Sequence, residues 1–172
     1  MGRTAGWIAA YAGIAGGAEA ILVPEVEYDL DDLAERLRRR HKAGHDYSIV
    51  VVAEGTPTPE GDPATRGVDA YGFARLGGVG NVIAAELERL TGYECRVMTL
   101  GYLQRGGTPT AYDRILATRL GLAAGALAVA GESGVMVAVD GEDIVPVPLS
   151  VVDQPPRQLD TARMEDAAWF FA

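Results

Sequence analysis

Two short apolar runs with one helical pattern between them constrain this chain more than any other feature. Ala20-Ile21-Leu22-Val23 is closed by Pro24, and Ser48-Ile49-Val50-Val51-Val52-Ala53 ends at Glu54. Continuous apolar runs of this length mark strands covered on both faces. Between them Asp29 is suited to cap a helix whose first turn carries Asp31 and Asp32, acidic residues that favour a helix amino terminus. Leu30, Leu33, Ala34 and Leu37 form its apolar stripe, and Arg38, Arg39, Arg40, His41 and Lys42 load its carboxy-terminal end. Gly44 fits the position just past that end. Strand, helix, strand in this order implies a βαβ unit and a mainly parallel sheet between helices.

The flanking segments extend the pattern. Residues 4–15 carry Trp7, Ile8, Tyr11 and Ile14 at near-helical spacing, stopped by Gly16-Gly17. Residues 55–80 hold Pro57, Pro59, Pro63 and seven glycines, which reads as an insertion or functional loop. Helical spacing resumes over 81–90 and ends at Gly92, and Arg96-Val97-Met98-Thr99-Leu100 is strand-like. A polar glycine-rich turn over 101–108 leads to Thr108 as helix cap, with Pro109 at the first helical position. That helix runs over 111–120 to Gly121, and an Ala-rich helix follows it. Asp140-Gly141 between two β-branched runs is a hairpin signal. A short helical stretch over 164–171 closes the chain.

The formal charge of −9 argues against general nucleic-acid binding, which needs a surplus of cations. The basic run over 36–42 is read as a solvated helix end offsetting the macrodipole. No apolar run approaches the ~20 residues that span a bilayer, and no secretory signal pattern leads the chain. A cytoplasmic protein is expected. Cys95, the one cysteine, excludes an internal disulfide and reads as a small buried side chain. His41 and His45 are separated by Gly44 and have no third ligand nearby, so no metal site is expected there.

Ligands of open α/β sheets bind beyond the carboxyl ends of the strands. Three places put reactive residues at such ends: Glu54, the 101–107 turn, and Met1-Gly2-Arg3. Gly106-Gly107 allows close backbone approach and Arg105 can grip a phosphate with its planar fork. A tight turn with a solvent-facing Arg fits the same residues. Glu54 can accept hydrogen bonds from sugar hydroxyls or be a surface carboxylate, and Arg96 can face a neighbour or form a plain salt bridge.

The order of these pieces resembles the 6-phosphofructokinase family. Met1-Gly2-Arg3-Thr4-Ala5-Gly6-Trp7 is similar to its Met-Gly-Arg substrate segment. Ala15-Gly16-Gly17-Ala18-Glu19 with Val23-Pro24-Glu25 resembles the helix–strand turn that follows. Val51-Val52-Ala53-Glu54-Gly55 matches the strand carrying the sugar-contacting glutamate. The run from Leu100-Gly101-Tyr102-Leu103-Gln104-Arg105 through Gly106-Gly107-Thr108-Pro109, with Tyr112-Asp113-Arg114, is close to the family signature.

The resemblance implies a three-layer α/β/α fold and phosphorylation of fructose 6-phosphate to the 1,6-bisphosphate, with ATP or pyrophosphate and Mg2+. It implies that Met1, Gly2, Glu54, Tyr102 and Arg105 contact the sugar phosphate, and that Arg3 does so while stabilising charge on the transferring phosphoryl group. Arg96 would reach the sugar phosphate of a neighbouring subunit in a dimer or tetramer. Gly17 and Glu19 fit metal-linked effector contacts, whereas Ala43 stands where a phosphate-binding lysine is common. The family usually has His at the position of Tyr102, which can donate one hydrogen bond but is bulkier and carries no cation. The family's glycine-rich donor loop and its Thr-Ile-Asp-x-Asp base segment precede Met-Gly-Arg and are not among these residues. Residues 1–105 are therefore expected to be the substrate half and 106–148 to be elements that pack on the donor domain. Residues 149–172 form a tail. The alternative is a non-catalytic phosphosugar-binding or regulatory fragment.

Overall fold

The computed structural model of the chain describes residues 4–62, 64–68, 70, 72 and 74–162. The chain divides into two compact units, Met1–Gly101 with Pro156–Ala172, and Tyr102–Pro155.

In the first unit, β1 (Ala20–Leu22) pairs in parallel with β2 (Val50–Val52), Ala20 opposite Val50 and Leu22 opposite Val52. The link between them is α2 (Leu30–Lys42). Strand side chains alternate between faces, and the two faces here fill two separate cores. Ala20, Leu22, Val50 and Val52 pack with Leu33 and Ala34 of α2 and with Val79, Ile83 and Leu87 of α3 (Val79–Thr91). Ile21 and Val51 pack on the other face with Ala9 and Ala10 of α1 (Trp7–Gly16), where Val23, Ala53 and Leu159 complete the cluster. Helix, sheet and helix pair make three layers, the α/β class the sequence implies.

Local signals explain the element ends. The Asp29 carboxylate accepts from the amides of Asp31 at 2.8 Å and Asp32 at 3.2 Å, satisfying donors at the start of α2. Gly17, at φ +64°, ends α1 while Ala18 donates back to Gly13, a closure that needs a left-handed residue. The helix begins at Trp7, after Gly6, because Thr4 and Ala5 lie outside its hydrogen-bonded turns.

Several expectations are corrected. Residues 55–80 are more than a loop: β3 (Thr65–Val68) and β4 (Ala74–Leu76) pair antiparallel with an irregularity in register. Residues 96–100 are not a strand. Among the described residues no other strand bonds to them, and without a ladder partner an apolar run does not become sheet. Val97, Met98 and Leu100 are accordingly exposed. The basic end of α2 is less solvated than charge alone suggests, because Arg40 pairs with Glu19 at 2.7 Å and Arg38 donates to the Leu90 carbonyl.

The second unit joins α4 (Ala111–Val129) to a hairpin of β5 (Val135–Asp140) and β6 (Asp143–Pro148). Its helix cap is Thr110 rather than Thr108. The Thr110 hydroxyl accepts from the Asp113 amide while the Asp113 carboxylate accepts from the Thr110 amide at 2.8 Å, a reciprocal capping box. Gly121 does not end this helix. Alanines on its far side sustain helical propensity, and 111–129 is one continuous helix. The hairpin turn is centred on Gly141 and Glu142, with Gly141 at φ +61°, as primed turns require. The stretch over 164–171 lies outside the described residues.

Candidate functional site

The parallel ladder sets the geometry. Beyond its paired end β1 continues into Val23-Pro24-Glu25, and β2 into Ala53-Glu54-Gly55. The Ala53 amide donates to the Leu22 carbonyl at 2.8 Å, and the Thr56 hydroxyl donates to the same carbonyl at 3.0 Å. Thr56 is fully buried, and its amide donates to the Ala53 carbonyl at 3.1 Å, so Glu54 and Gly55 form the middle of a fixed turn. Glu54 is exposed on that turn, at the carboxyl edge of the sheet.

The entry to α1 lies at the same edge. A Cβ added to Gly6 would fall 2.5 Å from Cβ and Cγ1 of Val23 and 2.8 Å from Glu25 Oε2. Only glycine lets the backbone pass so close to β1. The Gly6 amide donates to both Glu25 oxygens, at 3.0 and 3.1 Å, and the Leu159 amide donates to Oε1 at 2.9 Å. Trp7 Nε1 donates to the Arg157 carbonyl at 2.8 Å, and the Arg157 guanidinium lies 5.5 Å from the Trp7 ring centre. Residues 157–159 are thus stitched to the start of α1.

Met1, Gly2 and Arg3 lie outside the described residues; they immediately precede this stitched entry in the chain. Arg96 belongs to the first unit, its side chain exposed and paired with Glu94 at 2.9 Å. Tyr102 and Arg105 belong to the second unit, on a 3₁₀ turn over Gly101–Arg105 with both side chains exposed. Gly107 follows at φ +99°, and a Cβ on Gly106 would meet the Leu103 carbonyl at 3.3 Å, which explains the paired glycines sterically. Gly17 and Glu19 are adjacent in the chain to β1, but Glu19 is already engaged through both oxygens, with Arg40 and with the Ile49 amide.

A cavity of about 210 Å³ opens beside β1, lined partly by Tyr28, Asp29, Asp32 and Arg36. Its one cation, Arg36, lies 3.2 Å from Asp32, and Glu27 and Asp29 also line it. A phosphate there would face carboxylates. Burial and the nearby Glu60 charge raise the Tyr28 pKa, and its hydroxyl donates to the Pro57 carbonyl at 2.6 Å. Among the described residues no three His, Cys, Asp or Glu side chains are grouped to hold a metal ion. Sequence reasoning overlooked Glu25 and Thr56. Glu25 stood in the Val23-Pro24-Glu25 run that resembles the family's helix–strand turn but had been given no role, and Thr56 gave no signal.

Parallel strands that bring a carboxylate turn and a glycine-gated helix entry to one carboxyl edge define an α/β fold, the class whose ligands bind beyond that edge. More particularly, the chain belongs to the phosphofructokinase family, whose profile matches residues 1–128. It is 44% identical over 175 residues to a pyrophosphate–fructose 6-phosphate 1-phosphotransferase of Dictyoglomus thermophilum, covering 99% of this chain and 50% of that protein. It is 50% identical over 151 residues to an ATP-dependent 6-phosphofructokinase of Chloroflexus aggregans, covering 87% of this chain and 41% of that protein. Among solved structures, phosphofructokinase from Saccharomyces cerevisiae aligns with a TM-score of 0.63 at 26% identity, over 99% of this chain and 22% of that one. The T-state structure from Pichia pastoris aligns at 0.59 and 29% identity, over 99% and 16%. The chain spans about half the length of the curated relatives it matches.

Proposed function

We propose that these residues are the fructose 6-phosphate-binding half of a 6-phosphofructokinase. The observation that carries this reading is the shared carboxyl edge of β1 and β2, from which the Glu54 turn leaves β2 and at which the entry to α1 is tied to Glu25 after β1. In this reading the Glu54 carboxylate accepts from sugar hydroxyls. Met1 and Gly2 line the sugar, Arg3 and Arg105 bond the phosphate oxygens, and Tyr102 donates one further hydrogen bond. Charge-assisted bonds to phosphate are about twice as strong as neutral ones, so arginines suit the task. Phosphoryl transfer depends mainly on positioning and charge stabilisation, and Arg3 would supply charge where the phosphoryl group passes. Arg96 would serve a neighbouring subunit of a homo-oligomer, and its exposure leaves it accessible for that role. Gly17 and Glu19 would act at an effector site only if Glu19 exchanged its Arg40 partner for a ligand.

Mg2+ and the ATP or pyrophosphate donor would be bound in the intact enzyme, chiefly by its other half. The relatives are of both donor types, and donor choice would rest on the other half of the protein. The elements over 106–148 would pack against that half.

The test is titration calorimetry of this chain with fructose 6-phosphate, alongside Arg3→Ala, Glu54→Ala and Arg105→Ala. Each variant is expected to lose about 1.5–3 kcal/mol of binding, the range for hydrogen bonds to charged groups. A coupled assay of the same chain with ATP or pyrophosphate is expected to show no turnover, since a sugar hydroxyl without a positioned base is a poor nucleophile. No saturable binding, or wild-type affinity in all three variants, would reject the reading.

A further inference from the structure

We infer that the Thr56 hydroxyl is the positioning group for Glu54, pinning its turn to the Leu22 carbonyl at the end of β1. This rests on the reading of Glu54 as the carboxylate that accepts from sugar hydroxyls. The pin itself rests on geometry. The Thr56 amide donates to the Ala53 carbonyl at 3.1 Å, closing a four-residue turn with Glu54 and Gly55 at its centre. A turn closed by one backbone bond can still rock as a unit about its ends. Here both ends are tied to one acceptor on the neighbouring strand. The Leu22 carbonyl takes the Ala53 amide at 2.8 Å and the Thr56 hydroxyl at 3.0 Å, using both of its lone pairs. Leu22 is itself buried and in register with Val52, so that acceptor is as fixed as the sheet.

Burial separates this hydroxyl from an ordinary surface threonine. Thr56 has no exposed surface, and among the described residues it is the one buried polar side chain. A hydroxyl taken out of water costs free energy unless it is hydrogen-bonded, so an apolar residue of similar shape would suit a purely space-filling role. Glu54, two residues earlier, is exposed. The turn therefore joins an exposed carboxylate to a buried anchor across a single glycine. Motion beyond the turn is restrained as well, because the Tyr28 hydroxyl donates to the Pro57 carbonyl at 2.6 Å. Tyr28 directly precedes Asp29, the cap of α2, so the exit from the turn is tied to the helix that links β1 to β2. A carboxylate that bonds a sugar needs such restraint, since misplacing a positioned group by about 1 Å can lower its effect about a hundredfold.

The experiment compares wild-type chain with Thr56→Val, Thr56→Ser, Glu54→Ala, the double variant of Thr56→Val with Glu54→Ala, and Ile83→Val. The readouts are fructose 6-phosphate affinity by titration calorimetry and the thermal midpoint by circular dichroism. Thr56→Val keeps the branched shape and removes the hydroxyl. It is expected to weaken fructose 6-phosphate binding about twofold to tenfold, the net contribution of one neutral hydrogen bond. Thr56→Ser keeps the hydroxyl but leaves a methyl-sized gap, so its midpoint should fall while its affinity stays. Ile83→Val should do the same from the core, separating positioning from general destabilisation. In the Glu54→Ala background, Thr56→Val should weaken binding no further, because a positioning residue acts only through the group it positions. Wild-type affinity in Thr56→Val while Glu54→Ala has lost binding overturns the positioning role alone. An equal loss in Thr56→Ser, or a full further loss in the double variant, overturns it too. If the wild-type chain binds no fructose 6-phosphate, or Glu54→Ala binds it as wild type does, the proposed function fails and the positioning role falls with it.

Discussion

Replacing Gly6 by alanine probes the tightest backbone approach near the sheet edge, and its cost follows from two terms. The new methyl would lie 2.5 Å from two carbons of Val23, where carbon contacts prefer about 3.5–4.0 Å. Val23 is fully buried between α1 and the sheet and has no room to move aside. Overpacking of this kind costs about 1–3 kcal/mol. The same methyl lies 2.8 Å from Glu25 Oε2 and would push the carboxylate off the Gly6 amide. Losing a hydrogen bond to a charged group adds about 1.5–3 kcal/mol. Together the two terms give about 2.5–6 kcal/mol against a total stability of about 5–15 kcal/mol. The thermal midpoint should fall by about 5–24 °C at about 2–4 °C per kcal/mol for a chain of this size. Circular dichroism with urea and heat measures it, and Gly125→Ala serves as the opposite case. Gly125 lies inside α4 with open space around it, so that change should stabilise by about 0.5–1 kcal/mol. If Gly6→Ala matched wild type within about 0.5 kcal/mol, below the smallest term above, the close approach of α1 to β1 would be wrong.

Three further outcomes are expected. The Asp113 pKa is lowered, chiefly by the hydrogen bond from the Thr110 amide and then by that from its hydroxyl. Its capping contribution should therefore be complete above the usual aspartate value of about 4 and be lost as pH falls through the lowered folded value. Helix ellipticity of wild type and Asp113→Asn, compared from pH 6 to 2, tests this; parallel curves would contradict it. The Cys95 pKa is raised, first by burial and then by the Glu88 charge, so iodoacetamide at pH 8 should alkylate it more slowly than an unstructured peptide cysteine; equal rates would refute the assignment. The chain should form dimers or larger assemblies at micromolar concentration, because Met98, Tyr102 and Val129 are more than four-fifths exposed and such apolar surface favours association. A clean monomer by light scattering would overturn that expectation.

The sequence by itself determined what depends on near neighbours. Asp29, two and three residues from the amides it caps, was legible at once, as were Gly17 at the end of α1 and the apolar runs of β1 and β2. The Gly6, Glu54 and Arg105 motifs were legible for the same reason, since a short ordered string of special residues survives without knowledge of the fold. Capping within one turn was harder: Thr108 and Thr110 both precede the helix, and only hydrogen bonding to Asp113 selects Thr110. Tertiary structure decided whatever needed a distant partner. Residues 96–100 have strand composition, yet a strand exists only where another backbone supplies its ladder, and composition does not reveal that. The cations of α2 looked like a solvated helix end until Glu19 and the Leu90 carbonyl came within reach. Glu25 shows the limit most clearly, because one of the amides it accepts from lies 134 residues away. Local patterns carry propensity and charge over a few residues, whereas a tie between chain segments comes into being only when packing brings the segments together.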